Sequence, residues 1–343
     1  MQGLADRSRA PKNPKASITE QKRKRFKGLF MNKRWLFFFL KISIALVAML
    51  ILIKTVTLSD IYSAFRNPEK PIFILLAIFL LFPNLLLQWY RWHCLLRLIK
   101  PEVTFFESVS SLFGGMVVGF VTPGRIGEVG RPLFLKGVDR LQAVGLVFID
   151  KFYAFVTILI GGIWGLTLLI MYLANYTPFL VWPLCVIALM VSGGSIVIAL
   201  HPDWMRSLLY NFSLLLTHRD KMKRFIIGME HFQKKQAKSF LIFSFLLYGI
   251  YILQFCFLAF AFQPISWTTA LTATTATIFT KTLIPVSLAD LGVREGASLY
   301  FFLQFHVEKV TAFNSSILLF SINVLIPTLF GLFFLHRLSW KED

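Results

Sequence analysis

From residue 35 onward the sequence is a succession of long apolar stretches separated by short charged loops. A helix needs about 20 such residues to cross the hydrocarbon core of a bilayer. The stretches at 35–53, 71–90, 144–173, 179–200, 239–262 and 310–336 qualify. Because lipid cannot satisfy exposed backbone groups, runs this continuously apolar are expected to be helices. Composition agrees: 56% of the 343 residues are hydrophobic and 37 are Phe, beyond the roughly 45–50% apolar content of soluble domains. The expected fold is an all-α polytopic membrane protein with one membrane domain over 35–336.

The formal charge of +19 sits in tails and loops beside the apolar stretches, which points to anionic lipid and away from nucleic acid. Residues 1–34 carry eleven Lys/Arg against Asp6 and Glu20. Polar, basic and punctuated by Pro, they read as a disordered arm lying against anionic headgroups. The arm has no apolar core followed by a cleavage site, so it is not a signal peptide. Cys94, Cys185 and Cys256 are dispersed without zinc-ligand spacing, and neither metal nor cofactor is expected.

Lys/Arg bias in short loops sets orientation. The basic arm lies inside, the charge-balanced 54–70 loop outside, and Arg91, Arg97 and Lys100 inside, with Trp89, Tyr90 and Trp92 as an interfacial aromatic belt. The uncharged 174–178 loop is external. The 201–238 loop, rich in Lys and Arg, is cytoplasmic, and its stripe of Trp204, Leu208, Phe212, Leu215 and Leu216 suits a helix lying in the interface. Both termini are then cytoplasmic, with 337–343 as a short tail.

Two further apolar stretches are interrupted: 105–122 by Gly114, Gly115 and Gly119, and 266–286 by eight threonines, Lys281 and Pro285. If 105–122 crossed the membrane, Arg125, Arg131, Lys136 and Arg140 would lie outside; if it dips in and returns, they stay inside. Re-entrant hairpins follow, the first entering from the cytoplasm and the second from outside. Span, hairpin, span then occurs twice in opposite sense, an inverted-topology repeat of the kind that places transporter substrate sites between its halves.

Each break carries groups suited to an anion. After Pro123 and Gly124 a helix is expected to restart with Arg125, Glu128 and Arg131 on its first turns, where orphan N–H groups and arginine forks favour phosphate. In the second break, Pro285 and Gly292 flank Ser287 and Asp290, which have capping-box spacing, before Arg294 and Glu295. Arg125, Arg131, Arg294 and Lys281 are the candidates for holding a headgroup, with the threonines lining a polar path. Glu128, Asp150, Asp290 and Glu295 would orient those cations or carry protons. The plainer alternative is that these charges cap helices or face the cytoplasm, with Lys281 and Asp150 at the interface. Gly161 with Gly165 reads as helix packing. If one site forms, the two Pro breaks face each other, and Glu128 and Arg131 approach Arg294, Glu295 or Asp290.

The stretch Pro123-Gly-Arg-Ile-Gly-Glu-Val-Gly-Arg131, the Asp150-Lys151 pair, and Pro285 followed by Leu291-Gly-Val-Arg-Glu-Gly-Ala297 resemble the lysylphosphatidylglycerol synthase transmembrane-region, or flippase-like, family. The likeness runs over roughly residues 35–336 by segment order. It implies a lipid-translocating domain of the plasma (inner) membrane whose partners are anionic or phosphate-bearing lipids. Only seven residues follow His336, so no aminoacyl-transferase domain is expected. With no HExxH, phosphate loop or nucleophile elbow, the expected function is lipid flipping rather than enzymatic. The alternatives are a membrane-embedded lipid-modifying transferase and an accessory subunit of a separate lipid-modifying enzyme.

Overall fold

The computed structural model describes residues 68–120, 122–213, 219–285 and 291–337. The basic arm, the 35–53 stretch, Leu215, Leu216, Ser287, Asp290 and the tail after 337 lie outside the described residues. Within them all regular structure is helical. Helices α1 (Pro71–Phe79) and α2 (Leu81–Leu96) form one span. It breaks at Leu80 because Pro83 cannot donate to the carbonyl of Phe79 and its ring crowds that carbonyl. Next come α3 (Phe105–Phe120), a 3-10 segment (Ile126–Phe134) and α4 (Arg140–Leu173), the last capped by the Asp139 carboxylate accepting from the N–H groups of Leu141 and Gln142.

Helices α5 (Pro178–Leu200), α6 (Pro202–Ser213) and α7 (Arg219–Glu230) lead to the second long unit. That unit comprises α8 (Lys234–Phe262), α9 (Trp267–Leu283), α10 (Val293–Leu303), α11 (Lys309–Phe320) and α12 (Ile326–Gly331). Between α11 and α12 the helix widens to a π turn at Ser321–Leu325. Pro327 follows it and cannot donate to the carbonyl of Asn323, the kind of lost bond that such a turn accommodates.

Among the described residues five helical stretches are long and apolar enough to cross a membrane: Pro71–Leu96, Arg140–Leu173, Phe179–Leu200, Lys234–Phe262 and Lys309–Phe334. They correspond to the expected spans from 71–90 onward, and three of them start several residues earlier or end several residues later than the apolar run. Polarity is distributed as lipid demands. Phe79, Phe82, Phe179, Trp182, Met190 and Phe333 point outward, whereas Asn84, Arg91, Ser111, Thr157 and Gln254 are buried. A soluble protein reserves its interior for the first set. The chain is an all-α polytopic membrane protein.

One sequence expectation needs correcting here. Arg91 and Trp92 do not belong to an exposed belt, because α2 continues to Leu96 and packs them against its neighbours, while Tyr90 stays exposed. Trp92 is fully buried and donates to Ser111, Trp89 donates to Ser108, and Arg91 is only 1% exposed. A buried carboxylate from α4, described below, lets the span run through an arginine that hydropathy alone would place at the membrane surface. In α6, Trp204 and Leu208 are exposed, an apolar face of the kind an interfacial helix presents.

The two long units exchange partners. Span α4, which closes the first, packs along α9 of the second; α12, near the end of the second, packs along α3 of the first; and α1 and α2 pack on α8. Glycines make these approaches close. Gly162 lies under Phe279, Gly165 under Thr275, and Gly331 against the carbonyl of Phe113. Gly161 makes room for the ring of Tyr248. Helices α4 and α7 meet backbone to backbone, with Gly145 on the carbonyl of Phe225 and Gly228 on the carbonyl of Gln142.

A methyl group at Gly228 would overlap backbone that cannot rotate away, whereas one at Gly194 on α5 meets nothing within 4 Å. Gly228→Ala should therefore destabilise by about 1–3 kcal/mol through overpacking, while Gly194→Ala should be neutral or stabilising by up to about 1 kcal/mol through helix propensity. Thermal unfolding of the two variants in detergent checks the contrast, and equal melting temperatures would refute the α4–α7 contact.

Candidate functional site

The first break is a hairpin closed on itself. Ser111 Oγ donates to the carbonyl of Arg131 at 2.8 Å, and Gly114, Gly115 and Gly119 clear the face of α3 for Phe134, Arg131 and Glu128. The turn needs two successive left-handed residues, Gly124 at φ 59° and Arg125 at φ 55°. Glycine adopts this freely, but a side chain such as that of Arg125 pays roughly 1–2 kcal/mol. Thr122 Oγ then accepts from the Gly127 N–H at 2.7 Å. No α-helix restarts after Pro123, contrary to expectation. Arg125 caps a 3-10 segment, and Pro132 within it lacks the N–H that an α-helical bond to Glu128 would require.

The hairpin delivers its charges to α2 and α4. Glu128 accepts from Arg125 at 2.5 Å and from Arg131 at 3.2 Å, and it also pairs with Lys151. Asp150 accepts from Arg91 at 2.7 Å and from Arg131 at 2.9 Å, while Arg91 donates to the Asp150 carbonyl at 2.9 Å. Arg131 bridges the two carboxylates and stacks over Trp92, and Arg91 lies over Phe240. Four cations share two carboxylates, an excess of two positive charges within this network.

The second break is built differently. Helix α9 ends at Leu283, and α10 starts after Gly292, at φ 89°, whose N–H donates to Glu295 at 2.6 Å. Arg294 pairs with Glu295, donates from Nε to Ser316 at 3.0 Å and lies over the ring of Phe320. Both charges are fully buried. Helix α10 is thus capped at Gly292 by Glu295 reaching back to the N-cap N–H, and the Ser287–Asp290 spacing falls outside the described residues.

The two breaks meet: a Cβ on Gly124 would lie 2.6 Å from the Cβ of Pro285. Beside this contact lie two cavities. The larger, about 400 Å³, is lined by Arg125, Glu128, Lys151, Lys281, Thr282 and Pro285, with Ile126, Val129 and Phe155 on its apolar side. The smaller, about 180 Å³, shares Arg125 and Lys281 with it and also reaches Arg91. Of the expected site residues, Arg125, Glu128, Arg131 and Asp150 come together, with Lys281 across the cavity.

Arg294 and Glu295 sit elsewhere, and they line neither cavity, nor does Arg131. Glu128 and Arg131 therefore meet Arg125, Asp150 and Lys151 in place of Arg294 and Glu295. Most of the threonines form no polar path: Thr274 and Thr277 are buried and bond back to carbonyls of Leu271 and Ala273 on their own helix, the usual resting place of a helical Thr hydroxyl. Thr282 does line the larger cavity. Arg91 and Lys151 were not among the expected site residues. The signal for Lys151 was its place beside Asp150, and that for Arg91 was a charge inside an aromatic run. Among the described residues no cluster of His, Cys, Asp or Glu is placed to hold a metal ion.

The family model described as Lysylphosphatidylglycerol synthase TM region matches residues 38–331. The chain belongs to this family. The matched region of this transmembrane-region family contains both breaks and every member of the charge network. No curated protein and no solved structure matches the chain.

Removing one carboxylate should test how far the fold relies on the network. Asp150→Asn strips Arg91 of its only described carboxylate partner and should cost about 3–5 kcal/mol, the usual penalty for breaking a buried pair. Lys151→Gln, at a half-exposed position, should cost under about 1 kcal/mol. Thermal inactivation followed by size-exclusion chromatography compares them, and equal stability of the two variants would contradict the assignment.

Proposed function

We propose that this chain translocates an anionic, phosphate-bearing lipid between leaflets through the space where the two breaks meet. The observation that carries the reading is that Arg125 from the first hairpin and Lys281 from the second line both cavities. A headgroup phosphate held between them would touch both halves at once, as rocking of one repeat against the other requires. The larger cavity is amphipathic: Lys151 and Arg125 offer charge-assisted bonds, while the exposed Ile126, Val129 and Phe155 offer a surface for acyl chain. The reciprocal packing of the two units supports an inverted repeat with re-entrant hairpins. Arg131, Glu128 and Asp150 serve as the scaffold that positions Arg125 and Lys151.

Liposomes containing the purified protein test this reading. Fluorescent phosphatidylglycerol should exchange between leaflets, and Arg125→Gln and Lys281→Gln should each weaken lipid retention by roughly tenfold or more, the worth of one charge-assisted hydrogen bond. Product formation without lipid movement would instead establish a transferase. Neither outcome without a partner enzyme would favour an accessory role.

The proposed topology puts both termini in the cytoplasm. In a cysteine-free background, a Cys at Asn175 should react with an impermeant reagent from outside, and one at Ser207 or Lys235 should react only after permeabilisation. The reverse labelling pattern would overturn the orientation.

A further inference from the structure

The first and last described spans are interrupted side by side. The first divides between α1 and α2, where Pro83 leaves the carbonyl of Phe79 without its helical donor, and the last divides at the π turn, where Pro327 does the same to Asn323. Asn84, next to Pro83, joins them: its Nδ2 donates to Asn323 Oδ1 at 3.1 Å and to Gln254 Oε1 of α8 at 3.2 Å. Gln254 Nε2 donates in turn to the carbonyl of Ala77 at 2.9 Å. All three amides are buried. Side chains that bond to backbone in this way are what let an interrupted helix persist in a membrane.

The halves on either side of this amide cluster keep different company. First halves α1 and α11 pack on α8, while second halves α2 and α12 pack on α3. The grip on α3 is firm. Trp89 and Trp92 of α2 donate to Ser108 and Ser111, and Gly331 of α12 lies on the carbonyl of Phe113, whose ring meets Phe330 and Phe334. Beyond the cluster α2 meets α8 through Tyr90 against Phe243, with ring centroids 5.3 Å apart, and through Arg91 over Phe240. Between the cluster and these rings lies the smaller cavity, with Asn84, Gln88 and Arg91 on one wall and Ser244, Leu247 and Tyr251 on the other.

From this arrangement we infer that the amide cluster is a hinge, about which α2, α3 and α12 swing together against α8, parting Tyr90 from Phe243 and opening the smaller cavity sideways. A helix bends most easily where its ladder bond is missing, and hinges consist of a few residues at element ends. Directional bonds hold the pivot. The ring contact is dispersive and forfeits a quarter to a half of its attraction over a gap of about 0.5–1 Å. The Arg91–Asp150 pair joins α2 to α4, not to α8, and is kept. Use of the hinge for access rests on the proposed lipid translocation, whereas the movement itself does not.

Electron–electron distance measurements on the full-length protein in lipid nanodiscs test the hinge, with spin labels at exposed positions in a cysteine-free background. Labels at Arg97 and Ile242, on α2 and α8 beyond the cluster, should give two distances. Labels at Arg97 and Leu329, within the swinging body, should give one, as should Leu75 and Lys309 on the first halves. Tyr90→Leu alters an exposed side chain, so it should fold normally, and it should raise the long-to-short ratio of the Arg97–Ile242 pair roughly two- to tenfold, the worth of one aromatic pair. A single Arg97–Ile242 distance, or a ratio that Tyr90→Leu leaves unchanged, overturns the hinge. Splitting of either control pair would also overturn it, because the bend would then lie elsewhere. Lipid exchange in liposomes is read separately: exchange without the movement sinks the hinge alone, and movement without exchange sinks the translocation reading alone.

Discussion

Two carboxylates, Glu128 and Asp150, gather Arg91, Arg125, Arg131 and Lys151 into one network. An isolated buried guanidinium would be expensive, and the cost becomes tolerable for Arg91 and Arg131 because each meets a carboxylate and an aromatic face. In meeting them, the side chains tie three pieces of chain together: α2 through Arg91, the hairpin through Arg125 and Arg131, and α4 through Asp150 and Lys151. The location of the cavities follows from this knot. Arg125 is held at the cavity wall by Glu128 and by a left-handed turn that only the neighbouring glycine makes easy.

The two breaks resemble each other in layout and differ in charge. The second buries one arginine against one carboxylate, sealed by Ser316 and the ring of Phe320. That pair is neutral as a unit and lines neither cavity. The first break is cation-rich, and Lys281 lines the larger cavity with it. On the reading proposed above, an anion occupies this space and the apolar flank formed by Ile126, Val129 and Phe155 meets its acyl chain. Phe120 and Phe320, with ring centroids 6.3 Å apart, link the hairpin of the first unit to the arginine pair of the second.

Close approach does the remaining work. Without Gly114, Gly115 and Gly119 the 3-10 segment could not lie on α3, and without Gly162 and Gly165 the long helix α4 could not reach the second hairpin. Packing of this kind matters more in lipid than in water, since apolar surface gains little by moving from acyl chains to protein. The same glycines that read as flexible interruptions in the sequence are places where two segments touch.

The sequence by itself determined the class of fold, the approximate positions of the spans and the places where the backbone would break, because apolar length and Pro/Gly placement are local properties. It also supplied the family, through Pro123 to Arg131 and the Leu291 to Ala297 stretch. Partner choice among the charges was decided only in three dimensions. Asp150 lies 59 positions from Arg91 and 19 from Arg131, and nothing in either stretch names the other. Arg91 read as a surface residue because hydropathy sees a charge and not its distant carboxylate. The threonines read as a polar lining because composition does not reveal that a helical hydroxyl can satisfy itself on its own backbone. Asn84, Gln88 and Asn323 were silent for the same reason: an amide in an apolar span acquires meaning only when tertiary packing brings it to a cavity wall.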